Sequence, residues 1–126
     1  MISCRPQQGF ENLKPIELAR HIVDEVTARG TSDTVMLDIR GLTVIADYFV
    51  LTTVSSTTQM RAVRDILDRE VAKLVDRNPR IEGERTDAWV LADFGDVVVH
   101  VFSEEGRSHF RIEEFWNEAP VVLHIQ

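Results

Sequence analysis

The sequence predicts an α+β domain in which helices flank a mixed β-sheet. Apolar residues recur at helical spacing after Pro15 and again after Ser56, and a continuous run of β-branched and aromatic residues at Tyr48–Val54 indicates a central strand. A strand, a long helix and a further strand in that order need a crossover, so part of the sheet is expected to be parallel. The chain has 126 residues, 44% of them hydrophobic, which fits a single domain over 15–126 after an N-terminal tail at 1–14.

The first half of the domain is predicted as helix, strand, strand and helix. The first helix covers Pro15–Arg29, because proline suits the first turn and Gly30 can cap the end. A short strand follows at Thr34–Ile39. After Tyr48–Val54, Ser56 and Gln59 form a predicted capping box, in which Gln59 reaches back to the start of the second helix.

The second half is predicted as a hairpin, a helix and a last strand. The runs Trp89–Ala92 and Val97–Phe102 meet at a turn of sequence Asp-Phe-Gly-Asp, where Gly95 can take a positive φ. Residues after Gly106 have helical spacing through Trp116, and Pro120 precedes a short apolar strand.

The acidic excess of the chain is concentrated in this second half. The formal net charge is −7, with ten acids and nine bases in residues 1–75 but eleven acids and five bases in residues 76–126. An acidic surface repels phosphate, so sequence-independent nucleic-acid binding is disfavoured and a basic protein partner is favoured. Solubilising charge without a partner is the alternative interpretation.

The chain shows no sequence signal for export or for a membrane. No apolar run approaches the length of a membrane span, and Met1–Phe10 lacks the apolar centre of a signal peptide. The single cysteine, Cys4, cannot form an internal disulfide. We therefore expect a cytoplasmic protein.

Five segments follow one another in a recognisable order: Ala46 to Val50, Ser55-Ser56 with Gln59, Glu82-Gly83, Trp89 to Phe102, and Arg107 with Phe110 to Trp116. Together they resemble the ribosomal silencing factor family, also called Iojap. The resemblance spans Pro15 to Pro120. The sequence departs from the family pattern at four positions: Val54, Thr58, Arg111 and Glu114.

The resemblance implies a nucleotidyltransferase-like shape without nucleotidyltransferase chemistry. It also implies binding to large-subunit ribosomal protein fourteen, which would block joining of the two ribosomal subunits and lower translation, and it suggests a homodimer in isolation. A role in large-subunit maturation is the alternative with the same partner.

Six residues between Trp89 and Trp116 are predicted to contact the partner: Trp89, Leu91, Asp96, His100, Glu113 and Trp116. Core filling is the alternative for Trp89, and a satisfied structural role is the alternative for His100. Glu113 either pairs with Arg107 within the fold or faces the partner, and Asp93 is interpreted as a turn residue.

An enzyme is not expected, and neither is a cofactor or a metal. Asp93-Phe94-Gly95 is similar to the kinase magnesium motif, but the other kinase signatures are missing from the sequence. The four histidines have no zinc spacing. A metal-dependent nucleotide enzyme remains the alternative, because Asp38, Asp47, Asp93 and Asp96 are available to converge in space.

Overall fold

The structure, a computed structural model, describes residues 13–75, 78–83 and 88–126. The helices are α1 (Pro15–Thr27), α2 (Thr57–Ile66), α3 (Ala72–Val75), α4 (Glu104–Phe110) and α5 (Ile112–Phe115), with a π-helical turn at Leu67–Val71 between α2 and α3. The strands are β1 (Ser32–Asp38), β2 (Tyr48–Val54), β3 (Arg80–Glu82), β4 (Trp89–Asp93), β5 (Val97–Ser103) and β6 (Val121–Ile125).

Within the described residues, six strands form one sheet in the order β3-β4-β5-β2-β1-β6. Strands β2 and β5 are parallel, and the other neighbouring strands are antiparallel. The predicted mixed sheet and the central position of β2 are confirmed, and every residue of β2 is buried. The likeness to nucleotidyltransferases stays a prediction.

Each face of the sheet carries its own hydrophobic cluster. On one face, apolar side chains of α1 and α2, among them Ile22 and Val63, pack on Met36, Val50 and Val99 of the strands. On the other face, the chain segment 104–119 covers the sheet. Because both faces are covered, four consecutive residues of β1 are buried, and the alternation expected of a half-exposed strand is absent there.

Two predicted helix ends differ in detail from the structure. Helix α1 ends at Thr27, two residues before the predicted end, because Arg29 and Gly30 donate amide bonds to the carbonyls three residues back and tighten the chain into a turn. The Ser56 hydroxyl accepts from the amide of Gln59 at 3.1 Å, as predicted. The Gln59 side chain, however, accepts from the amide of Ser55 at 2.7 Å.

The predicted single helix through Trp116 is wrong. Helix α4 ends at Phe110, Arg111 has φ +52°, and the separate turn α5 begins at Ile112. In a continuous helix, side chains two positions apart point in nearly opposite directions. The left-handed residue reverses the chain, so that Phe110 and Ile112 both pack on the same face of the sheet.

The left-handed residue makes replacement of Arg111 by glycine a stabilising change. A residue with a Cβ is strained by about 1 kcal/mol or more in the left-handed conformation, and glycine removes this strain. Glycine also raises the entropy of the unfolded chain, but this cost is smaller. We expect Arg111→Gly to raise the free energy of unfolding by about 0.5 kcal/mol in urea titrations. A decrease would show that contacts of the Arg111 side chain outweigh the backbone strain.

Strand β3 was not predicted from the sequence, because it has only three residues and two of them are charged. Cys4 and most of the predicted tail at 1–14 lie outside the described residues. Among the helices that the structure describes, none is long and apolar enough to cross a bilayer.

Candidate functional site

The hairpin β4–β5 presents one row of large side chains on the sheet face opposite α1 and α2. Its register places Trp89 opposite Phe102, and Leu91 opposite His100. Phe102 is fully buried, whereas Trp89 and Leu91 are half-buried. Residues of segment 104–119 extend this surface. We call the following half-buried residues the aromatic face: Trp89, Leu91, Phe110, Ile112 and Trp116.

Trp89 has both a core role and a surface role. Its ring stacks on the ring of Phe102, with 5.5 Å between the ring centroids. Its centroid lies 4.8 Å from that of Phe110. Its indole N–H donates to Nδ1 of His100 at 3.1 Å. Trp89 as a whole is half-buried, so a partner that reached it would meet a tryptophan whose orientation is already fixed.

His100 is buried below the aromatic face, with 4% of its surface exposed. Because Nδ1 accepts the Trp89 bond, the second nitrogen, Nε2, carries the proton in the neutral ring; it is buried and has no hydrogen-bond partner within the described residues. Burial lowers the pKa of His100 to about 4. The structure therefore places this predicted contact residue beneath the surface. There it holds the indole of Trp89, and only one of its two ring nitrogens is hydrogen-bonded within the described residues.

Trp116 reaches the same face from the end of α5. Its ring meets the ring of Phe49 edge-on, with 5.2 Å between centroids, and Phe49 in turn lies 4.6 Å from the ring of His100. A chain of ring contacts thus joins Trp116 to Trp89 through the interior. The two tryptophans, 27 positions apart in sequence, belong to one packed cluster.

Arg107 anchors segment 104–119 to the sheet. Its side chain is 9% exposed, and its Nε donates to Oε2 of Glu113 at 2.6 Å. Its Nη1 donates to the carbonyl oxygen of Asp33 at 2.8 Å and to the hydroxyl of Thr53 at 2.7 Å. Of the two alternatives for Glu113, the structure shows the pairing with Arg107 within the fold; 37% of the Glu113 side chain stays exposed, and contact with a partner stays a prediction.

Asp96 lies apart from the other predicted contact residues. It is exposed in the hairpin turn, whereas Trp89 is at the far end of β4, more than about 13 Å along the strand. The carbonyl of Asp96 accepts from the amides of Asp47 and Tyr48. The side chain of Asp93 accepts from the amide of Gly95 at 2.7 Å, which confirms its role in the turn.

The four aspartates at this end of the sheet do not form a metal site. Asp38 is engaged by Arg40 at 2.7 Å, and the hydrogen bonds from that guanidinium hold the pKa of Asp38 below its ordinary value. Within the described ranges, no three His, Cys, Asp or Glu side chains are grouped so that they could hold a metal ion.

Acidic side chains are concentrated in the segment that contributes part of the aromatic face. Segment 104–118 carries five acids and two bases, and one of those bases is the buried Arg107. Phe115, next to Trp116, is 81% exposed. Exposed apolar and aromatic surface with carboxylates around it is typical of a protein–protein interface.

Asp33 and His124 were not predicted from the sequence as residues of the site. Asp33 has φ +50°, and its Oδ1 lies 2.7 Å from Nε2 of His124 on strand β6. Its Oδ2 lies 3.7 Å from Nη2 of Arg107. The pairing joins positions 91 residues apart, which a local sequence pattern does not reveal. The only local signal was an aspartate directly before the predicted strand Thr34–Ile39, and the structure includes it in β1.

The fold and the site define an acidic α+β domain with a closely packed, half-buried aromatic face. The family described as "Ribosomal silencing factor during starvation" matches residues 12–126. The chain belongs to this ribosomal silencing factor family, which confirms the predicted resemblance.

Individual relatives agree with this assignment. The chain is 34% identical over 113 residues to Ribosomal silencing factor RsfS of Halalkalibacterium halodurans. This alignment covers 90% of this chain and 94% of the relative. It is 38% identical over 98 residues to Ribosomal silencing factor RsfS of Bacillus subtilis, and this alignment covers 75% of this chain and 80% of the relative. The crystal structure of a protein from Chromobacterium violaceum superimposes with a TM-score of 0.76 at 27% identity, covering 82% of this chain and 87% of that one.

Proposed function

We propose that this protein binds large-subunit ribosomal protein fourteen through its aromatic face and blocks joining of the small subunit. The observation that carries the proposal is the half-buried pair Trp89 and Trp116, which one ring cluster holds in place next to a segment, 104–118, that carries five acids. Anchors held rigidly before binding lose little conformational freedom on association. The proposed mechanism is occlusion, in which no bond is made or broken.

Charge supports a ribosomal partner. The acidic excess lies in the half of the chain that contains the aromatic face, and ribosomal proteins are typically basic. Opposite charges increase the association rate and orient the encounter, while buried aromatic residues supply most of the binding energy. The proposal therefore assigns affinity to Trp89, Leu91 and Trp116, and it assigns steering to Glu113 and the acids near it.

The test is binding to purified ribosomal subunits. We expect the protein to co-sediment with large subunits and to reduce formation of complete ribosomes from added small subunits. Trp116→Ala is expected to weaken the affinity about thirtyfold, because it removes a half-exposed aromatic anchor. Thermal denaturation of the variant establishes that it is folded.

A matched control comes from the loop between β1 and β2. Ile45 is 66% exposed and lies outside the aromatic face, so Ile45→Ala should bind large subunits as the parent protein does. Equal weakening by both variants would contradict a specific role for the aromatic face. Binding without any effect on subunit joining would favour the maturation role over silencing.

The homodimer stays a prediction, as does the cytoplasmic location that ribosome binding implies. If a second copy covered Trp116, it would compete with the ribosome. Binding should therefore be measured at concentrations where sedimentation velocity detects monomer, and affinity that falls as protein concentration rises would support such competition.

A further inference from the structure

A groove runs beside the aromatic face, between α5 and the two strands β1 and β6. Its volume is about 360 Å³. Its apolar wall is formed by Val35, Leu37, Ala119 and Val121, and Trp116 also lines it. Polar side chains line the remaining parts: Asp33, Glu113, Asn117 and His124.

The two carboxylates in the groove are only partly used by the fold. Glu113 accepts from Arg107 through Oε2, and its Oε1 accepts no hydrogen bond from the residues that the structure describes. Asp33 accepts from His124 through Oδ1, while its Oδ2 lies 3.7 Å from Arg107, beyond hydrogen-bond distance. Each carboxylate therefore offers one oxygen to a ligand.

The groove has a net negative charge. Two carboxylates and one guanidinium leave a formal charge of −1 when His124 is neutral. Arg107 is buried behind the carboxylates, whereas the side chains of Asp33 and Glu113 are 54% and 37% exposed, respectively. Apolar walls focus the field of the carboxylates into the groove, so it attracts a cation.

From this geometry we infer that the groove receives an arginine side chain of the protein partner. Its methylene groups would lie along the apolar wall formed by the β1 and β6 side chains. Its guanidinium would donate to Glu113 Oε1 and Asp33 Oδ2 and would stack on the ring of Trp116. The inference rests on the proposed function, because it names the chemistry with which the same basic partner engages this side of the surface.

Arginine fits the groove better than lysine. The Arg107 guanidinium lies 2.6 Å from Glu113 and 3.7 Å from Asp33, so the two carboxylates are close enough together for one planar guanidinium to reach both. An ammonium is a compact point charge that is more strongly hydrated, so it would use one carboxylate at a time.

The first test uses a small probe without the ribosome. Titration with Nα-acetyl-arginine amide at constant ionic strength should shift the NMR signal of the Trp116 indole N–H. The same titration with Nα-acetyl-lysine amide should show at least threefold weaker binding. An absent shift, or equal shifts with the two probes, would overturn the inference.

The second test neutralises the carboxylates in the full-length protein. Asparagine tolerates the left-handed backbone at position 33, so Asp33→Asn changes the charge with little strain. Asp33→Asn and Glu113→Gln should each weaken binding to large subunits about tenfold, mainly through faster dissociation. Asp65→Asn on helix α2 removes the same charge from the opposite face and should leave the affinity within twofold of the parent.

The outcomes separate this inference from the proposed function. If both groove variants bind large subunits as tightly as the parent, the groove is not used and the inference is wrong, while the proposed function stands. If the parent does not bind large subunits, the proposed function fails. The arginine titration then decides the inference alone, with Asp33→Asn expected to weaken the probe about tenfold.

Discussion

Lowering the pH from 6.5 to 4 is expected to reduce the free energy of unfolding by about 3 kcal/mol through His100 alone. Burial lowers the pKa of this histidine to about 4 in the folded protein, whereas the unfolded chain titrates near 6.5. Between these values the unfolded state binds more protons, so stability rises with pH. The contribution is complete above pH 6.5 and is lost as the pH falls toward 4.

The surroundings of His100 explain why a proton is poorly accommodated. The rings in contact with it belong to Phe49, Trp89 and Phe102, none of which carries a charge. Nδ1 already accepts the indole N–H of Trp89, so protonation there would break that bond. The pH effect should therefore appear in the NMR signal of the Trp89 indole N–H as well as in stability.

His100→Gln is the control, because an amide oxygen can still accept the Trp89 bond but does not titrate. Urea unfolding of both proteins at several pH values gives a difference curve in which the shared carboxylates cancel. We expect the difference in free energy of unfolding to rise with pH between about 4 and 6.5, with the slope that corresponds to one additional proton bound by the unfolded state. Above about pH 6.5 the difference should be constant. A flat difference curve across the whole range would show that His100 is not buried as a neutral ring.

Local signals were sufficient for the elements whose residues contact their sequence neighbours. The β4–β5 turn follows from Asp93 and Gly95, and the strand β2 follows from its continuous run of β-branched and aromatic residues, because both depend on nearby residues. The break at Arg111 was not predictable in this way. Its left-handed backbone is stabilised by packing of Phe110 and Ile112 on a sheet face formed by distant strands.

The candidate site shows the same division between local and distant effects. The pairing of Glu113 with Arg107 could be proposed from a spacing of six residues. The depth of His100 depends on how closely segment 104–119 covers the sheet, and a strand pattern carries no information about that cover. The groove depends on Asp33 and His124, which meet only because β1 and β6 are neighbours in the sheet.

Replacing Arg107 by methionine is expected to lower the free energy of unfolding by about 3 kcal/mol and to weaken large-subunit binding as well. Removing one partner of a buried, hydrogen-bonded charge pair is strongly destabilising, at about 3–5 kcal/mol. We expect a loss at the lower end of this range because the side chains of Glu113 and Asp33 are 37% and 54% exposed, respectively. Water can therefore solvate both carboxylates after the guanidinium is lost. Urea unfolding monitored by circular dichroism measures the change.

Arg111→Met is the matched control for this variant. The Arg111 side chain is 66% exposed and lies 3.7 Å from Glu114, so its loss should change stability by less than about 0.5 kcal/mol.

The loss of Arg107 also bears on function, because Arg107 connects α4 and α5 to the carbonyl of Asp33 and the hydroxyl of Thr53 on the sheet. Without that connection, Glu113 and Trp116 lose their fixed position, and binding should fall even at temperatures where the variant is fully folded. If Arg107→Met were destabilised yet bound large subunits like the parent, the position of segment 104–119 would not matter for binding, and the aromatic face would have to be restricted to Trp89 and Leu91.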